Sequence, residues 1–208
     1  MARDVYVVGV GMTKFEKPGR RDWDYPDMVR EAGTKALEDA RIGYEEIEQV
    51  GVGYVYGDST AGQRAVYELG LSGIPVVNMN NNCSTGSTAL MYCRQMIAGG
   101  LAEVTMAVGF EKMQRGSLDL SSEDRTAPLD RHIASLHAMH EETTSPVAPQ
   151  MWARAAEDHM RRYGSTPQHF AKVAEKNHRH SANNPYAQFQ DVYTLEEILA
   201  SPHIDGPL

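Results

Sequence analysis

Two rhythms of apolar and polar positions divide the chain. Over the first 110 residues, short β-branched runs alternate with longer stretches whose apolar positions recur at three- and four-residue intervals. Residues 5–10, Val-Tyr-Val-Val-Gly-Val, read as a strand buried on both faces. From about Asp27, the residues Met28, Ala32, Ala36, Leu37 and Ala40 line one stripe of a helix that Gly43 should end. Residues 50–55 predict a second strand, weakened by Gly51 and Gly53, and residues 62–69 a short helix. Residues 74–77 start a third strand, which the polar run 78–82 ends. Ala89, Leu90, Cys93, Met96 and Ile97 then share the apolar side of a helix closed by Gly99 and Gly100, and residues 103–110 form a fourth strand. Strand–helix alternation with short links predicts an α/β fold, a mostly parallel sheet covered by helices.

After Met113 the alternation stops. Residues 114–148 read as irregular, rich in Ser, Thr, Pro and charge. A helix follows over about 149–163, with Trp152, Ala156, Met160 and Tyr163 on one face and Gly164 as its stop. Thr166 and Pro167 open another, with Phe170, Val173 and Ala174 along its stripe. Thr194 and Glu197 form a capping box for a last short helix. Met151, Trp152, Met160 and Phe170 read as the core of this helical part, with contact to an acyl chain as the alternative. Two regions result, residues 1–113 and 114–208.

Composition narrows the function classes. The chain has 208 residues and a formal charge of −8, from 20 basic and 28 acidic side chains. An acidic chain without a basic run is a poor nucleic-acid binder. Its longest apolar runs have about eight residues where a membrane span needs roughly twenty, so no span is expected. Two cysteines cannot build a disulfide framework and favour a reducing compartment. The chain reads as a cytoplasmic protein.

Chemistry concentrates in residues 75–100, PVVNMNNNCSTGSTALMYCRQMIAGG. The order is strand, polar turn, Cys83, then a helix that begins with Ser84, Thr85, Gly86 and Ser87. In an open parallel sheet, sites form beyond the carboxyl ends of the strands, where Cys83 falls. Unpaired N–H groups and the positive end of the helix dipole favour a thiolate there, hence a nucleophile. A buried structural cysteine is the alternative reading of Cys83. Cys93, mid-helix among apolar neighbours, reads as core, and ten helical residues span about 15 Å, so the two sulfurs cannot pair. Asn80, Asn81 and Asn82 satisfy the turn and the helix start.

Other candidates are weaker. Gly9 and Gly11, like Gly51 and Gly53, suggest dinucleotide loops but lack the third glycine, with Lys14 and Tyr56 in that place. All eight histidines fall in the second half, yet His132, His137 and His140 lack a cysteine partner, and His178 and His180 point to different helix faces. No metal site is expected; surface or capping roles fit these histidines better.

The opening VVGVGMTKFEKPG, the segments GYVYGDSTAGQRAVY, NNNCSTGSTAL and GFEKMQRGSL, and KNHRHSANNPYAQFQD resemble thiolases. Among these they are most similar to the sterol carrier protein x (lipid-transfer) type. The similarity covers nearly the whole chain and is weakest over residues 119–144. It implies the amino-terminal half of a thiolase-like fold, a parallel-rich mixed sheet covered by helices, carrying a helical loop-domain insertion. It further implies action on 3-ketoacyl-CoA, with Cys83 as nucleophile and coenzyme A as co-substrate. No permanently bound cofactor follows from it. By the same resemblance, residues from about 114 onward cover the active site and help hold CoA.

A thiolase subunit is roughly twice this long, and its second half supplies a His, a second Cys and further oxyanion donors. The chain therefore reads as the nucleophile half, with its loop domain unfinished and no returning strand before Leu208. A homo-oligomer or a complementary second half is the expected partner, and the 208-residue chain alone is expected to be inactive. A peroxisomal location would apply if the protein were eukaryotic and its signal lay in a missing C-terminal part. The alternatives are a non-catalytic acyl-CoA-binding or partner subunit and a thiolase-related retro-aldolase.

Overall fold

The computed structural model describes residues 3–117, 124–141 and 143–206. The chain divides into two compact units, Met1–Leu118 and Asp119–Leu208.

In the first unit, α1 spans Tyr25–Ala40. Asp24 caps it, and Asp27 returns a carboxylate to the Asp24 N–H in a reciprocal box, with Pro26 in the first turn. The helix ends at Arg41, in the left-handed conformation at φ 59°, so Gly43 is not its stop. A 3₁₀ turn (Tyr44–Glu46) leads into β1 (Gln49–Gly53), then α2 (Ala61–Val66), β2 (Val76–Met79), α3 (Thr85–Ala98) and β3 (Thr105–Gly109). The sheet order is β2-β1-β3, and both pairings are parallel. Val50 lies beside Val76 and Met106, and Val52 beside Asn78 and Val108.

The pleat sends alternate residues to opposite faces. Val50, Val52, Met106 and Val108 share a buried cluster with Val29 of α1 and Ala65 and Val66 of α2. Val29, Val50, Val52 and Val66 are each at most 1% exposed, and burying such a side chain contributes about 1.5–3 kcal/mol. Gly51 and Gly53 face the other way, toward α3. A Cβ on Gly51 would sit 3.3 Å from the Ala89 carbonyl oxygen and from Cys93 Sγ. These glycines lower strand propensity so that α3 can lie flat on the sheet.

Residues 5–10 do not form the expected strand. The segment runs along α1 without joining the ladder: the Val10 N–H donates to Asp39, and the Lys35 ammonium to the Met12 carbonyl. Gly9 and Gly11 press against α1, where a Cβ would clash with the carbonyl oxygens of Ala36 and Ala32. Tyr6, Val7, Val8 and Val10 stay exposed, and an apolar groove of about 610 Å³ lies between the segment, α1, α3 and β3. The close glycine–helix approach thus holds this chain on the helical layer.

The second unit contains α4 (Asp130–Met139), α5 (Val147–Tyr163), α6 (Pro167–Ser181) and α7 (Leu195–Leu199). Helix α4 corrects the expectation of irregular chain over 114–148, of which residues 118–123 and 142 lie outside the described residues. Its Ile133 and Leu136 keep helical spacing, and Leu136 is buried. Both capping devices form as expected: Thr166 caps α6, with His169 completing the box, and Thr194 with Glu197 caps α7. The expected stripe of α5 is displaced. Gln150, Ala153 and Ala156 are the buried residues, whereas Trp152 is 74% exposed and Tyr163 also faces out. Small side chains are favoured on the inner face because the 203–206 segment lies directly on it: a Cβ on Gly206 would stand 3.3 Å from that of Ala153. Arg154 and Thr143 both donate to the Asp205 carboxylate beside this contact.

Candidate active site

Cys83 sits in the turn between β2 and α3, at the carboxyl end of the sheet, and is exposed. The turn is built from the asparagines that precede it. Asn80 accepts the Asn82 N–H at 3.2 Å, and the Asn81 side chain donates to Thr88 at 2.9 Å. Asn82 takes the left-handed conformation at φ 48°, which a short polar residue tolerates better than most. Its side-chain oxygen stands 3.8 Å from Cys83 Sγ.

The first turn of α3 is packed hard onto the strand ends. A Cβ on Gly53 would meet Thr85 Cγ2 at 2.7 Å and the Thr85 carbonyl oxygen at 2.8 Å, and one on Gly109 would meet the Gly86 Cα at 3.7 Å. Of the residues at the helix start, Thr85 is the one seated against β1, whereas Ser84, Gly86 and Ser87 are exposed. Thr85 is 4% exposed, and its hydroxyl accepts the Asn81 N–H at 2.8 Å and donates to the Asn82 carbonyl at 2.5 Å. Ser84, at the N-cap, makes no capping bond with its side chain and instead donates to the Asn81 carbonyl at 2.9 Å.

Cys93 is the contrast. It is 4% exposed, and its thiol donates to the Met106 carbonyl at 3.2 Å. Burial pushes its pKa up, against smaller opposing effects from Gly51 and Thr105. It is a core residue, as its position predicted.

Glu111, just after β3, was not singled out from the sequence. Its carboxylate accepts the N–H groups of Val55 and Tyr56 at 3.0 and 2.9 Å and so fixes the loop after β1 beside the strand ends. Nothing in a lone Glu after an apolar run announces such a role.

Among the described residues no group of three His, Cys, Asp or Glu side chains is placed to hold a metal ion. Several histidines have local partners: His169 Nδ1 accepts the Thr166 N–H at 3.0 Å, and the His178 ring lies against Tyr193, 4.9 Å between centroids.

A family model of the thiolase N-terminal domain matches residues 5–196. The chain belongs to the thiolase family. It is 56% identical over 202 residues to sterol carrier protein 2 of Gallus gallus, covering 97% of this chain and 37% of that protein. The resemblance to the lipid-transfer type of thiolase therefore holds, and the chain spans well under half the length of that relative. In fold it is similar to the Ltp2-ChsH2(DUF35) aldolase, with TM-score 0.71 and 24% identity over 97% of this chain and 50% of that one. It is similar also to the Acat5 thiolase of Ascaris suum in complex with coenzyme A, with TM-score 0.66 and 16% identity over 98% of this chain and 59% of that one. The parallel sheet under helices is thus the amino-terminal half of a thiolase-like fold. Among the described residues of this thiolase chain, no helix is long and apolar enough to cross a membrane.

Proposed function

We propose that the chain supplies the nucleophile half of a thiolase acyltransferase that cleaves 3-ketoacyl-CoA through an acyl-cysteine on Cys83. The thiolate attacks the 3-keto carbon, and the bond between C2 and C3 breaks. The acyl group remains as a thioester on sulfur, while the departing carbanion takes a proton and leaves as acetyl-CoA, or propionyl-CoA from a 2-methyl-branched substrate. A second CoA thiol then attacks the thioester, giving a shortened acyl-CoA and free Cys83. Helix-start amides are suited to the oxyanion of each step. Lipid metabolism is the setting, with fatty acid β-oxidation and branched or sterol side chains among its substrates.

The observation that carries this reading is the contrast between the two thiols. Cys83 is exposed at the strand ends, in a turn tied down by bonds of the Asn80, Asn81, Ser84 and Thr85 side chains, whereas Cys93 is buried. For CoA, residues 119–208 offer a cleft of about 400 Å³ between α4 and α5, lined by Arg131, His132, His140 and Arg154, with Asp158 on its wall. Arg131 is the cation there that suits a phosphate, since Arg154 is already paired with Glu157 and Asp205. The acid/base groups for turnover would come from a complementary half or another subunit, because Cys93 is held in the core.

Incubation with a 3-ketoacyl-CoA followed by intact-mass analysis tests the assignment. One acyl group should appear on wild-type protein and none on C83S, with no sustained thiolysis. An adduct that persists in C83S would overturn the assignment. A wild-type chain that stays unmodified would favour a non-catalytic subunit.

A further inference from the structure

We propose that Thr85 is a positioning residue for Cys83. This rests on Cys83 being the nucleophile and adds how its turn is held. The Thr85 hydroxyl bonds the two residues that precede the cysteine, accepting the Asn81 N–H at 2.8 Å and donating to the Asn82 carbonyl at 2.5 Å. Its own N–H also donates to that carbonyl, at 3.1 Å. Cys83 is thus the apex of a loop that one side chain closes from behind.

Three features separate this from an ordinary residue of a first helical turn. The hydroxyl's donation to the Asn82 carbonyl is the i−3 back-bond common to helical threonines, but it also accepts the Asn81 N–H, so one oxygen joins both residues before the cysteine. The carbonyl it holds belongs to Asn82, whose left-handed φ of 48° turns the chain into Cys83. Finally, Thr85 Cγ2 packs against Gly53, which narrows the χ1 choices of this β-branched side chain. The end of β1 therefore sets the Thr85 rotamer, the rotamer sets the Asn82 carbonyl, and the carbonyl sets the direction in which Cys83 leaves the turn. The cysteine is thereby held, exposed, in the turn just before the first turn of α3.

T85S and T85A test the strap, because both lose the methyl and they differ in one hydroxyl. The readouts are the iodoacetamide rate at Cys83, resolved by peptide mapping, and the thermal midpoint of each variant. T85S should alkylate Cys83 within about twofold of wild type even though its melting temperature falls. T85A should be at least tenfold slower at temperatures where it is fully folded. T85V, which keeps the bulk and loses the bonds, should behave like T85A. Equal Cys83 rates in T85S and T85A would overturn the proposal, as would rates that simply follow the melting temperature. A wild-type Cys83 that alkylates no faster than Cys93 would overturn the nucleophile reading itself, and this inference with it.

Discussion

Gly53 and Thr85 meet at a distance that admits no side chain on the glycine: a Cβ there would lie 2.7–2.9 Å from Thr85 atoms, two of them backbone. Backbone cannot yield as a flexible side-chain tip can. G53A should therefore cost about 1–3 kcal/mol by overpacking and displace the turn that carries Cys83. Gly86, one residue further on, has open space where its Cβ would be, so G86A should be neutral or stabilise by up to about 1 kcal/mol. Chemical denaturation of both variants checks this, and equal losses would show that the helix start is not seated on β1 as described.

Exposure alone separates the two thiols by a wide margin. Iodoacetamide at neutral pH should modify Cys83 at least tenfold faster than Cys93, and Cys93 should become reactive only in denaturant. Comparable rates in the native protein would remove the basis for assigning the nucleophile.

Most of the architecture was legible where local signals and tertiary packing agree. The Thr166 and Thr194 caps, the helix carrying Cys93 and the strands at Val50 and Val76 all follow from short-range chemistry. Residues 5–10 were misread because a β-branched run states what a segment can do, and not whether a ladder is within reach. There Gly9 and Gly11 brought the chain against α1. Trp152 was misread for a related reason. Helical periodicity finds a large apolar face, but the face that is buried was chosen by the 203–206 segment, which needs Ala153 small. Cys83 could be located from its place after a strand and before small residues. The bonds of Thr85 could not, since they depend on Asn82 adopting a left-handed turn.

Alkaline pH should expose the burial of Cys93. Its pKa is raised in the folded protein, so above the ordinary thiol value of 9.0 the unfolded chain loses a proton that the native chain keeps. The native state binds more protons there, and stability falls as pH rises through that range. Below it, the residue contributes no pH dependence. The denaturation midpoint of wild-type protein should drop more steeply above about pH 9 than that of C93S. Parallel profiles would mean that Cys93 is hydrated in solution.

Arg154 and Asp205 form a part-buried ion pair in the second unit, with Nη2 3.3 Å from Oδ1 and Asp205 only 5% exposed. The carboxylate also accepts the Thr143 hydroxyl at 3.4 Å and the Gly206 N–H at 2.9 Å, so it joins three separate stretches of chain. Removing the cation leaves the buried Asp205 carboxylate without its charged partner, so R154M should be less stable than wild type. D205N keeps an oxygen that can accept from Gly206 and should cost less. E157Q is the control: Glu157 pairs with the same arginine at 3.0 Å on a more open face, an i,i+3 contact contributing about 0.5 kcal/mol or less. Hydrogen exchange should show faster opening of residues 143–163 and 201–206 in R154M and little change in E157Q. If both variants exchange alike, the 203–206 segment is not held to α5 by this pair.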